Sequence, residues 1–91
     1  MFVAVCCDLS SGDHAQKVSV LLNQYGFSKA QADVFEHTAL SEEYVKRLKR
    51  DLDRLTDSYD RVRLYQYPVD GTLAISTLNQ KKWRKLVIRM E

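Results

Sequence analysis

The sequence predicts an α+β sandwich in which two helices lie on one face of an antiparallel sheet. An unbroken apolar run occupies residues 2–7, two segments at 15–25 and 44–55 carry apolar residues at helical spacing, and residues 61–67 alternate between apolar and polar positions. A short apolar run rich in β-formers reads as a strand covered on both faces, which belongs in the middle of a sheet. That strand delivers Asp8 to its C-terminal end, the edge where ligands tend to sit in α/β architectures.

Each element has its own local reason. Ser10 and Ser11 are candidate N-caps, and Asp13 favours the positive end of the helix that follows. Ala15, Val18, Leu21, Leu22 and Tyr25 make its apolar face, and Gly26 followed by Phe27 stops it. Residues 27–40 carry no helix face; Val34 and Phe35 centre an extended segment, long enough for a hairpin turning near Gln31-Ala32-Asp33. Ser41 caps a second helix with Glu42 and Glu43 in its first turn, and Leu40 and Val45 stand at hydrophobic-staple positions. Tyr44, Leu48, Leu52 and Leu55 are its expected core face, with Glu42–Lys46 and Glu43–Arg47 paired on the wet side. After a polar loop at 57–60, Val62 and Leu64 point inward and Arg61, Arg63, Tyr65 and Tyr67 outward. Pro68 is expected to end that strand, Asp70-Gly71 to turn the chain, and residues 72–78 to form another strand. Leu86-Val87-Ile88 is a short terminal strand or an arm.

Ninety-one residues make one small domain, which buries only roughly 60–65% of its unfolded surface, a modest basis for stability for which dimerisation is a common remedy. No apolar stretch approaches the roughly 20 residues of a membrane span, and the apolar start lacks the basic region and cleavage site of a signal peptide, so the expected location is cytoplasmic. Cys6 and Cys7 are adjacent in a strand and point to opposite faces; they cannot chelate one metal together and read as small apolar residues. The net charge of +2 is unevenly spread: residues 78–91 hold five bases against one acid, while the remainder is net acidic.

The order β, α, β-β, α, β fits the split βαβ, or ferredoxin-like, arrangement over residues 1–78, with a basic extension at 79–91. A core of this size leaves Leu73, Ile75, Leu86, Val87 and Ile88 without partners inside one protomer. The C-terminal strands are therefore expected to pair with a second copy across a homodimer, with Trp83 as a hydrophobic anchor on that copy or on another partner.

The chain resembles the small CRISPR-associated adaptation protein (the "Cas two" family), the ferredoxin-like partner of the CRISPR integrase. The matching pieces are the apolar strand ending in Asp8, Lys17-Val18, Tyr25-Gly26-Phe27, Gln31-Ala32-Asp33-Val34-Phe35-Glu36, Leu40-Ser41 and Val62-Arg63-Leu64-Tyr65. They come in family order over three quarters of the chain, and the ending, with Lys82-Trp83-Arg84, is similar to that of a longer-tailed branch. The resemblance implies a structural subunit of the spacer-acquisition complex, a homodimer that bridges integrase dimers and binds double-stranded DNA. Sequence-independent phosphate contacts of this kind would come from Lys17, Arg61, Arg63, Lys81, Lys82, Arg84 and Lys85.

The resemblance also implies a Mg²⁺-dependent endonuclease, with Asp8 of both protomers as the metal-binding and catalytic residue. Two carboxylates at a shared site suit such a hard cation. Many family members carry arginines shortly after this aspartate, where the present chain has Ser11-Gly12-Asp13-His14-Ala15-Gln16 and only Lys17 is basic, so the structural role leads. A toxin-type endoribonuclease on the same scaffold is the related alternative. A dimer binding a small regulatory ligand is another, although no Gly-rich loop speaks for it.

Overall fold

The computed structural model describes residues 1–89. Its elements are β1 (Phe2–Asp8), α1 (Gly12–Gln24), β2 (Ser28–Gln31), β3 (Val34–His37), α2 (Glu42–Leu55), β4 (Arg61–Val69), β5 (Thr72–Asn79) and β6 (Lys82–Arg89). One antiparallel sheet of six strands runs in the order β2-β3-β1-β4-β5-β6. The first four strands in that order are the ferredoxin-like core, and β5 and β6 extend it past β4. No helix among the described residues is long and apolar enough to cross a membrane.

The apolar run in β1 earns its central place by pairing on both sides, with β3 and with β4. Val3 and Val5 face the helices and are fully buried among Val18, Leu22, Leu48, Leu52, Val62, Leu64 and Leu78. Ser11 caps α1, its side chain accepting from the His14 N–H at 3.1 Å. At the other end Phe27 N–H donates to Leu22 C=O and Gly26 N–H to Asn23 C=O, a Schellman closure. Gly26 sits at φ 89°, and a Cβ there would also meet His37 Nε2 at 3.1 Å. Ser41 caps α2 through the Tyr44 N–H, and the staple residues Leu40 and Val45 are both buried.

Tyr44 departs from the sequence expectation. Val45, Leu48 and Leu52 form the buried stripe of α2, which leaves Tyr44 half exposed, edge-on to Tyr25 at a centroid distance of 6.3 Å. The reason is angular: Tyr44 stands at one margin of the stripe, about 100° around the helix from Val45, with Leu48 and Leu52 between them. Pro68 does not end its strand either. β4 continues to Val69 through a register shift after Gln66, a bulge that accommodates the missing N–H.

The C-terminal strands find sheet partners inside the chain, which among the described residues leaves the outer edge of β6 for the pairing with a second copy that the sequence suggests. β5 lies on β4, and β6 pairs with β5 from Asn79↔Lys82 to Thr72↔Arg89. Two tight turns make this possible. Asp70 and Gly71 both have positive φ (50° and 74°), as do Gln80 and Lys81 (52° and 62°), which suits two-residue hairpin loops. The second turn contains no glycine. Lys81 compensates by reaching back to α2, where its Nζ lies 3.0 Å from the Thr56 carbonyl and 3.1 Å from an Asp53 carboxylate oxygen. The segment read as a basic extension is thus largely the sixth strand, and its last two residues, Met90 and Glu91, lie outside the described residues.

Truncating a side chain at the centre of this core creates a cavity that the sheet cannot collapse to fill. Leu48→Ala is expected to cost about 3 kcal/mol in a urea titration, against less than about 0.5 kcal/mol for Val20→Ala on the exposed face of α1.

Candidate functional site

The two helices cover one face of the sheet, and strand alternation decides what the other face carries. On the helix side stand Val3, Val5 and Cys7 of β1, Val62, Leu64 and Gln66 of β4, and Ala74, Ser76 and Leu78 of β5. The open side presents aligned rows across β1, β4, β5 and β6. One row is Asp8, Arg61, Asn79 and Lys82, and the next is Cys6, Arg63, Thr77 and Arg84. A third is Ala4, Tyr65, Ile75 and Leu86; beyond it lie Phe2 beside Tyr67, and Leu73 beside Ile88. The open face therefore grades from charged at the C-terminal end of β1 to apolar at the other end. Phe2, Tyr67, Leu86 and Ile88 are among the most exposed large hydrophobics of the described residues, with Leu86 58% exposed.

This arrangement brings Asp8, Arg61, Arg63, Lys82 and Arg84 together, all exposed. Arg63 is held upright along Tyr65, whose hydroxyl lies 3.2 Å from its guanidinium. Of the apolar residues proposed for an interface, Leu73, Ile75, Leu86 and Ile88 share this face. Trp83 and Val87 point to the helix side, because they alternate with Lys82, Arg84, Leu86 and Ile88.

The other predicted cations are placed elsewhere. Lys17 pairs with Asp13 at 3.1 Å on α1. Lys81 is committed to the end of α2, as described. Lys85 stands on the helix side, close enough to Lys49 that, after burial, its charge is the second cause lowering the Lys49 pKa. Lys49 in turn lies over the Trp83 ring at 5.5 Å, so Trp83 anchors β6 to α2 within the chain. Cys7 is half-buried on the helix side and its thiol is pushed up to about 12 by burial, then by Asp33 and Cys6, which leaves it unreactive near neutrality.

The residue that sequence reasoning missed is Asp60. Its carboxylate is 1% exposed and ties two loops together. Oδ1 accepts from the Ser10 N–H at 2.7 Å and the Ser10 hydroxyl at 2.8 Å. Oδ2 accepts from the Asp57 N–H at 2.8 Å and from His14 Nδ1 at 2.7 Å. Burial alone would raise its pKa, but the donors from Ser10, Asp57 and His14 outweigh it and hold the carboxyl at about 2, below the ordinary 3.8. The loop after β1 is thereby locked to the loop before β4, which sets Asp8 opposite Arg61. The sequence signal was faint: a polar Asp57-Ser58-Tyr59-Asp60 loop ahead of a strand, with a partner serine 50 positions upstream.

His14, Asp57 and Asp60 offer ligand atoms within 4.8 Å of one another, and by distance alone they could hold a metal ion. The chemistry of the set argues otherwise for a hard cation. Each Asp60 oxygen already receives two donors, which uses the roughly four lone-pair sites of a carboxylate. The cluster also includes an imidazole where Mg²⁺ favours oxygen ligands. Asp8 fits little better within one chain, since a divalent ion there would face Arg61 directly across on β4.

The Asp60 bonds give stability a defined acid limb. Its pKa is depressed on folding, so the contribution is complete above about pH 4 and is lost as the pH falls toward about 2. Asp60→Asn is expected to lower stability at neutral pH by roughly 2 kcal/mol and to flatten that limb, which denaturant titrations across the acid range would read.

Three comparisons bear on this fold and face. The family model for CRISPR associated protein Cas2 matches residues 1–86. A crystal structure of a hypothetical protein from Thermus thermophilus is 33% identical with a TM-score of 0.64, the alignment covering 78% of this chain and 83% of that one. A comparison with curated proteins finds no match. The chain belongs to the family of CRISPR associated protein Cas2, and with it to CRISPR adaptation and defence.

Proposed function

We propose that this protein is the structural subunit of a spacer-acquisition complex. It is a homodimer that holds double-stranded DNA and bridges integrase dimers. The observation that carries the reading is the graded open face. Its apolar rows, built on Phe2, Tyr65, Tyr67, Ile75, Leu86 and Ile88, suit burial against a second copy, and such a patch is costly to leave in water. The same face carries Asp8 and Glu36 as well as arginines, so two copies related by a two-fold axis can match acid to base.

In that dimer Arg61, Arg63, Lys82 and Arg84 frame the rim of the contact, where they meet DNA phosphates without reading bases. Among the described residues the outer edge of β6 has no strand beside it, and this strand carries Lys82, Arg84, Lys85 and Arg89, which makes it the edge offered to the integrase by strand addition. The chemistry asked of the chain is positional. It needs a fixed spacing between two phosphate-binding rims and no reaction centre.

The test is duplex binding and spacer integration with the cognate integrase. Replacing Arg61, Arg63, Lys82 and Arg84 by Ala is expected to reduce the slope of log affinity against log salt by about 0.9 for each phosphate no longer neutralised, and to depress integration. Asp8→Ala is expected to retain both. The Mg²⁺-dependent nuclease reading, on RNA or DNA, rests on Asp8 of two protomers and predicts the reverse: metal-dependent cleavage by the wild type that Asp8→Ala abolishes while the dimer persists.

A further inference from the structure

On the side of the molecule away from the open face, a groove opens where the C-terminal end of α1 and the end of β3 meet α2. At one end it widens into a cleft of about 430 Å³ walled by Tyr25, His37, Tyr44 and Arg47, with Gln24 at its margin. Beside it along α2 lies a second cavity of about 230 Å³, lined by Tyr25, Arg47, Arg50, Asp51 and Arg54, which shares Tyr25 and Arg47 with the cleft. Arg47, Arg50 and Arg54 recur at i, i+3 and i+7, so they stand in one row at roughly 5–6 Å intervals, and all three are exposed.

We infer that this groove is a second nucleic-acid site, one for single strands: bases stack in the cleft against Tyr44, Tyr25 and His37, and the backbone follows Arg47, Arg50 and Arg54. Stacking surfaces beside a row of cations are what an unpaired strand needs, whereas a duplex buries its base faces and offers only phosphates. Tyr44 presents its ring to solvent, 50% exposed, and the Arg47 guanidinium lies 5.6 Å from that ring's centre. The guanidinium lies over one face of the ring as a cation–π pair, and the two together make a flat platform for a base.

The walls are held in place. The Tyr25 hydroxyl donates to Asp51 at 2.6 Å, and the His37 Nδ1 accepts from the Ala39 N–H at 3.0 Å, which turns Nε2 toward Gly26. Asp51 therefore acts as a positioning residue for Tyr25. An acidic peptide would satisfy the arginines but make no use of three aromatic walls, which is why the strand is the favoured occupant.

The experiment is fluorescence anisotropy with a labelled short oligothymidylate on the full chain, with circular dichroism confirming that each variant is folded. Tyr44→Ala is expected to weaken binding roughly tenfold and Tyr44→Phe to retain it. The triple Ala variant at 47, 50 and 54 is expected to reduce the salt slope by about 0.7 for each phosphate that the arginines cease to neutralise. The inference is overturned if the wild type does not bind the oligonucleotide, or if only Arg61→Ala and Arg63→Ala weaken it. It is equally overturned if polyglutamate competes on equal terms and Tyr44→Ala changes nothing, since the groove would then be a peptide site.

Discussion

Two helices cannot cover both faces of a six-stranded sheet, and most features of this molecule follow from that constraint. The covered face is largely apolar, with Gln66 and Ser76 as buried polar exceptions, and Val3, Val5, Leu64 and Leu78 reach complete or near-complete burial in a chain of only 91 residues. The opposite face is free of that demand. It still carries Phe2, Tyr67, Leu86 and Ile88 where the folding of one chain alone would favour polar side chains. An apolar face that folding does not require points to association, and the cations at its far end point to phosphate.

Position along the strands is then what matters, and Asp60 governs it. A buried carboxylate with four donors joins the loop after β1 to the loop before β4, so the neighbouring strands that carry Asp8 and Arg61 keep their register at the functional end. The basic tail is divided in a similar way. Lys81 completes the end of α2 and Trp83 packs beneath Lys49, while Lys82 and Arg84 alternate to the other side and remain open to a partner. One of the tail's five positive charges, Lys81, thus serves the fold, and a count of lysines and arginines could not have separated the two uses.

Much of the architecture was legible because it rests on local chemistry. The central strand, the Ser11 and Ser41 caps, the Gly26 stop, the Leu40–Val45 staple and the Asp70-Gly71 turn each depend on residues within a few positions of one another. What escaped the sequence depends on distant partners. The Gln80-Lys81 turn lacks a glycine and is supported by contacts to Asp53 and Thr56 nearly 30 positions away, so β6 read as a short strand or an arm and its pairing was assigned to a second copy. Asp60 looked like a loop residue because its four donors lie in three separate places. The α1–α2 groove was equally hidden, since the charges of α2 nearly balance in composition and separate only once the helix is wound.

Cys6 offers the most direct test of the central claim, that the open face closes against a second copy. It lies on that face opposite Arg63, whereas Cys7 points to the helices, so a Cys7→Ala chain reports on the open face through one thiol. The measurement is the rate of Cys6 modification by a thiol reagent at protein concentrations below and above the association midpoint found by sedimentation. The account predicts that the rate falls as the dimer forms. A dimer in which Cys6 reacts at the monomer rate, or a chain that stays monomeric throughout, would contradict it.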